Sequence, residues 1–132
     1  MEEDWFPELP EPEKGKGFLE FAGTIRKRDD FSEFEKQNAI DKAEQEMIAN
    51  GIVSVGDICN TTDSLLQKQK GNIQYYNFIE TFGVDVNKLD VDFSQAIDLK
   101  NKFRAAGQKA SIVPHAPYSV PPVLMKKIND YF

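Results

Sequence analysis

The chain has 132 residues, 40% of them hydrophobic with ten phenylalanines, and a formal charge of −6 at neutral pH. This is one domain's worth of material with enough apolar content for a modest core, which excludes a wholly disordered polypeptide. The acidic balance, with no basic stripe to interrupt it, excludes a nucleic-acid groove and an anionic membrane surface, since either would repel the chain.

One cysteine, Cys59, leaves no internal disulfide, and one histidine, His115, cannot furnish the Cys/His cluster of a structural zinc site. No signal peptide is evident, and no apolar run approaches the ~20 residues of a membrane span. The expected setting is reducing and cytoplasmic, with no membrane partner.

Residues 1–17 are acidic and proline-rich around the pair Trp5-Phe6. Pro7, Pro10 and Pro12 break both helices and central strands, so this segment reads as an irregular arm ahead of a folded body over 18–132. From Phe18 the pattern turns helical, with Phe18, Phe21, Ala22 and Ile25 on one face and Arg26 to Arg28 in the last turn, where cations complement the helix dipole. Ser32 and Glu35 form a capping box that opens a second helix. Its apolar positions are Phe34, Ile40, Ala43, Met47 and Ile48, and it stops at Asn50-Gly51.

The β-branched run Ile52 to Ile58 predicts a first strand and the polar segment 59–63 a turn. A short helix over Ser64 to Lys70 ends at Gly71-Asn72, and the aromatic run Ile73 to Phe82 predicts a second strand with Glu80 near its end. A third long helix spans about Val91 to Ala106, with Phe93, Ala96, Ile97, Lys100 and Phe103 on one face and Gly107 as its stop. Lys109 to Pro114 is the last strand. His115 follows at once, in a turn stiffened by Pro117. A final helix from Pro121 has Ser119 as its expected cap.

Alternation of helices and strands predicts a parallel sheet, and in such sheets active groups sit at the C-terminal ends of the strands. Asp57, Glu80 and His115 all fall there. They mark a candidate site without naming its chemistry, and a histidine ordered by an ordinary strand-end turn accounts for His115 equally well.

The segment Pro114-His115-Ala116-Pro117-Tyr118-Ser119-Val120 closely resembles a motif of the amidohydrolase superfamily, in the branch of cytosine deaminase-like, chlorohydrolase-like and adenosine-type deaminases. Asn50-Gly51-Ile52-Val53-Ser54-Val55-Gly56-Asp57 and Gly17-Phe18-Leu19-Glu20-Phe21 resemble two further segments of that branch, so the likeness runs over most of the chain from about Gly15. It implies a (β/α)8 barrel in which zinc or another divalent metal activates water for hydrolysis of a C–N bond in a ring or amide substrate. Carried to this chain, His115 becomes a substrate-contacting residue, with Glu80 and Phe21 as further candidates to line the same pocket.

The family's histidine ligands have no counterparts here, because His115 is the only histidine. The expectation is therefore a partial barrel of about three parallel strands flanked by helices, not closed, with no metal site and no catalytic residue of its own. A closed barrel usually takes ~250 residues. Open sheet edges then invite homo-oligomerisation or association with another chain. Two functional classes stand side by side: a fragment or truncated paralogue of a metal-dependent amidohydrolase, inactive alone, and a non-catalytic α/β binding or interaction module. Nucleophilic catalysis by Cys59 is a third, with His115 as its only imidazole base.

Overall fold

A computed structural model describes residues 31–132 of the chain apart from Val84. The expected arm over 1–17, the Phe18 to Arg28 helix and Phe21 lie outside the described residues. Within them the elements alternate: α1 (Glu33–Ala49), β1 (Ser54–Ile58), α2 (Leu65–Gln69), β2 (Gln74–Thr81), α3 (Leu89–Ala105), β3 (Lys109–Pro114) and α4 (Pro122–Tyr131). Single 3-10 turns over Val86–Lys88 and Pro117–Ser119 lead into α3 and α4.

Local chemistry explains the element ends. Gly51 and Gly107 both sit at φ +81°, where a side chain is strained, and each closes a helix with paired backbone bonds. After α1, Ile52 N–H donates to the Met47 carbonyl at 3.0 Å and Gly51 N–H to Ile48 at 2.9 Å. After α3, Gln108 N–H donates to Phe103 at 2.9 Å and Gly107 N–H to Arg104 at 3.0 Å. Helix, stop and strand thus follow without slack.

The sheet is three-stranded and open, in the order β1-β2-β3, with both pairings parallel. Register sets Asp57 beside Asn77 and Ile79 beside Ile112. Residues of one parity, Tyr75, Asn77, Ile79 and Thr81 on β2 with Ala110 and Ile112 on β3, face the helices. Ile79, Ala110, Ile112, Phe93, Phe103, Leu124 and Ile128 build the core there, and Phe103 and Leu124 are fully buried. Each isoleucine, leucine and phenylalanine among them contributes about 1.5–3 kcal/mol by leaving water. On the opposite parity Tyr76 is 41% exposed, its ring 5.1 Å from that of Phe78, and Ile58 is 62% exposed. The fold is α/β, an open parallel sheet flanked by helices and not a closed barrel, and among the described residues the helices pack on one face.

Three expectations need correction. The first strand begins at Ser54, with Val53 76% exposed before it. On α1 the buried position is Glu44, while Phe34, Ala43 and Ile48 are exposed. The helix turns that way because three donors on other elements converge on the Glu44 carboxylate: Gln67 Nε2, Asn72 Nδ2 and Tyr75 OH, each at 2.8 Å. Finally, Pro121 takes the N-cap position of α4 without a side-chain cap. Ser119 is engaged with the histidine instead.

Candidate functional site

Parallel strands deliver their C-terminal ends to one rim, and His115 follows directly on β3 there. Pro114 pairs with Thr81 across the sheet, and His115 N–H continues the ladder by donating to the Thr81 carbonyl at 3.1 Å. The turn behind it is tight: Ser119 N–H donates to the Ala116 carbonyl at 2.9 Å, and Gly83 N–H donates to the Ser119 carbonyl at 2.8 Å. Both sides of the histidine backbone are therefore pinned.

The ring is pinned as well. Ser119 is buried, its hydroxyl donates to the Ala116 carbonyl at 3.1 Å, and its oxygen lies 2.7 Å from His115 Nδ1. With that hydroxyl proton committed, the oxygen accepts from Nδ1–H, so the neutral ring carries its lone pair on Nε2. Phe82 and Tyr118 hold the imidazole edge-on, at 6.0 and 5.8 Å between ring centroids. No hydrogen bond to Nε2 exists among the described residues. The arrangement presents one basic, hydrogen-bond-accepting nitrogen at an exposed rim.

Glu80 shares the open face with His115, by the parity that pairs it with Val113, two residues earlier on β3. Its carboxylate reaches the other way, accepting from Asn60 Nδ2 at 3.3 Å, while Asn60 Oδ1 accepts from the Glu80 N–H at 3.2 Å. Phe82 stands between the two sides. His115 and Glu80 are brought to one rim without touching each other.

Asp57 does not join them. It lies near the end of β1, but its parity turns it to the helix-covered face, where it pairs with the ammonium of Lys68. Lys68 is 3% exposed, donates to Asn77 Oδ1 at 2.7 Å, and has the Tyr75 and Phe103 rings each 5.1 Å from its nitrogen. A buried ammonium needs such partners, so Asp57 serves the core and not the rim. Cys59 is buried on the same side, its thiol 3.7 Å from Asn77 Oδ1, and burial pushes it up to about 11. A thiol held protonated in this way is a poor nucleophile.

The divalent metal that the family resemblance implies finds no matching donors. Such sites need about three protein ligands, His115 is the only imidazole of the chain, and no three His, Cys, Asp or Glu side chains gather among the described residues. Sequence reasoning placed His115 and Glu80 at the rim and missed Ser119 and Phe82. The His115/Ser119 spacing across a proline turn was the available signal for Ser119. Phe82 carried no comparable signal, since only the strand register sets it beside the imidazole.

No helix among the described residues is long and apolar enough to cross a membrane. Compared with models of known protein families, with curated proteins and with solved structures, the chain matches none.

Proposed function

We propose that the rim around His115 is the substrate-contacting wall of an amidohydrolase-type, deaminase-like site, and that this chain alone does not carry out the hydrolysis. The observation that supports it is the locked imidazole: Nδ1 bound to Ser119, Nε2 left as an acceptor, at the C-terminal end of a parallel strand and inside the Pro114 to Val120 segment that resembles the family motif. An imidazole so fixed accepts a hydrogen bond from a ring N–H or an exocyclic amine, which are the donors of an aminated heterocycle. Orientation of a substrate is the role it suits. The histidine ligands with which that family activates water through a metal have no counterparts in this sequence.

His115 being the sole histidine, its ring nitrogens are read without assignment ambiguity in a long-range 1H–15N spectrum. Titration with cytosine and adenine is expected to shift Nε2 saturably and to leave Nδ1 as the protonated nitrogen. Zinc uptake and ammonia release are expected to be absent. An unmoved Nε2 at millimolar ligand would overturn the substrate-contact reading, and stoichiometric zinc with turnover would overturn the inactivity.

A second reading, a non-catalytic interaction module, draws on the open face, where Ile58 and Tyr76 present apolar surface beside the two edge strands β1 and β3. Unpaired strand edges favour self-association. Sedimentation at increasing concentration separates the readings: association that proceeds with His115→Ala unchanged, together with no response to ring amines, favours the module.

A further inference from the structure

On the covered side of the sheet, the C-terminal end of β2 and α3 enclose a half-open cavity of ≈ 140 Å³. Helical spacing builds one wall: Asp92, Gln95, Ala96 and Leu99 stand at i, i+3, i+4 and i+7, so they form a single stripe. Strand parity builds the floor, since Ile79 and Thr81 both point to α3. Asn60, Glu80 and Phe82 complete the mouth. The space is well below the ~300 Å³ at which drug-sized pockets begin, and suits a head group of a few heavy atoms.

Thr81 carries the case. It is 2% exposed and lines this cavity, and its hydroxyl is the one buried side-chain polar atom with no hydrogen-bond partner among the described residues. The other buried polar side chains are satisfied, Glu44 three times over and Lys68 by a carboxylate, an amide and two rings. Orphaned buried hydroxyls are rare in folded proteins and call for an explanation. A polar occupant of the cavity supplies one.

The rest of the lining says what that occupant is. Asp92 and Gln95 make no side-chain hydrogen bond or ion pair among the described residues, and the Glu80 carboxylate accepts only the 3.3 Å bond from Asn60. No lysine or arginine lines the space. The Asp92 carboxylate, the Gln95 carboxamide and the Thr81 hydroxyl therefore offer acceptors beside the apolar surface of Ile79, Ala96 and Leu99. Bare metal ions are disfavoured, because the oxygen ligands do not converge as a cluster and the floor is hydrocarbon. We propose that this cavity binds a small planar organic cation rich in N–H donors, an amidinium or guanidinium group, with its charge against Asp92 and one N–H on the Thr81 hydroxyl. Planar cations of this kind match carboxylates with paired hydrogen bonds.

Phe82 lines both this cavity and the His115 ring, but the test is read at Thr81, Asp92, Gln95 and Ala96 and not at the imidazole nitrogens, so either reading can fail alone. The test is a 1H–15N titration of the intact chain with acetamidinium and methylguanidinium chloride at millimolar concentration, against sodium chloride and tetramethylammonium chloride at equal ionic strength. Saturable shifts are expected at the amides of Thr81, Asp92, Gln95 and Ala96 with the two N–H cations only. Asp92→Asn and the isosteric Thr81→Val are each expected to weaken binding by about fivefold or more, the loss of one buried hydrogen bond to the cation. Thr81→Val removes an orphaned hydroxyl and should fold at least as well as the parent, which keeps its readout interpretable. Equal shifts with tetramethylammonium, no saturation, or undiminished binding in Thr81→Val would overturn the assignment.

Discussion

Replacing Asp57 by alanine tests whether the Lys68 ion pair belongs to the core. Its two ends differ: the Lys68 side chain is 2% exposed and the Asp57 side chain 34%. A surface pair contributes about 0–1 kcal/mol, whereas stripping the partner from a buried charge costs about 3–5 kcal/mol. Asp57→Ala strands the buried ammonium, which retains Asn77 Oδ1 at 2.7 Å and the faces of Tyr75 and Phe103. The expected cost is about 3 kcal/mol, at the low end of the buried range because those contacts survive.

Lys68→Met keeps the apolar stem and leaves a carboxylate that water can reach, so it should cost only about 1 kcal/mol. The double variant should cost little more than Lys68→Met alone, a coupling of about 2.5 kcal/mol in the double-mutant cycle. Urea unfolding followed by circular dichroism reads this as a midpoint lowered by roughly 2 M for Asp57→Ala, with the slope unchanged. Asp57→Asn, which retains an acceptor, should fall about halfway. A loss below about 1 kcal/mol for Asp57→Ala, with additive singles, is the outcome of a solvated pair and would refute the reasoning.

Glu44 predicts a pH dependence. Burial alone would raise its carboxyl, but the hydrogen bonds from Asn72, Tyr75 and Gln67 and the nearby Lys70 charge outweigh it and hold the group below its ordinary 4.5. A lowered carboxylate contributes stability that is complete above about pH 4.5 and is lost as pH falls through the folded-state value. Glu44→Gln should flatten the stability curve in that acid window and cost about 2 kcal/mol at neutral pH, while parallel curves for parent and variant would exclude the linkage. Gly83→Ala places a Cβ 2.2 Å from Leu89 Cδ2 and 3.2 Å from Leu124 Cδ2, both buried, and should cost about 1–3 kcal/mol by overpacking in the same urea assay. Cys59, its thiol pushed up to about 11, should react with a thiol reagent at pH 8 about a hundredfold more slowly than a free cysteine, and at the normal rate in denaturant. Rapid labelling of the folded chain would contradict its burial.

Local rules carried the element plan. The α3 face expected from periodicity, with Phe93, Ala96, Lys100 and Phe103, is the face that the structure buries, and β3 spans Lys109–Pro114 as its β-branched and proline residues indicate. Glycine stops at 51, 71 and 107 all adopt positive φ. These are properties of a few neighbouring residues, and side-chain size and backbone restriction settle them without the rest of the chain. The rim position of His115 belongs with them, since Pro114 and Pro117 define it.

Facing was a different matter. Period two along β1 and β2 separates two faces, but polar Tyr75, Asn77 and Thr81 share the covered one, so hydropathy could not say which face meets the helices. Partners far away in sequence decided it: Glu44 reaches Tyr75 across 31 positions, and Asn77 reaches the Lys109 carbonyl across 32. Asp57 consequently pairs with the buried Lys68 and stays off the rim, Ser119 serves the imidazole and not the helix cap, and Thr81 lies over a cavity that only the packing of α3 on β2 creates. The sequence by itself determined the order and type of the elements and that a histidine stands at a strand end. Tertiary structure decided which polar groups meet each other, because a buried polar side chain takes its place from the partner that satisfies it and not from its neighbours along the chain.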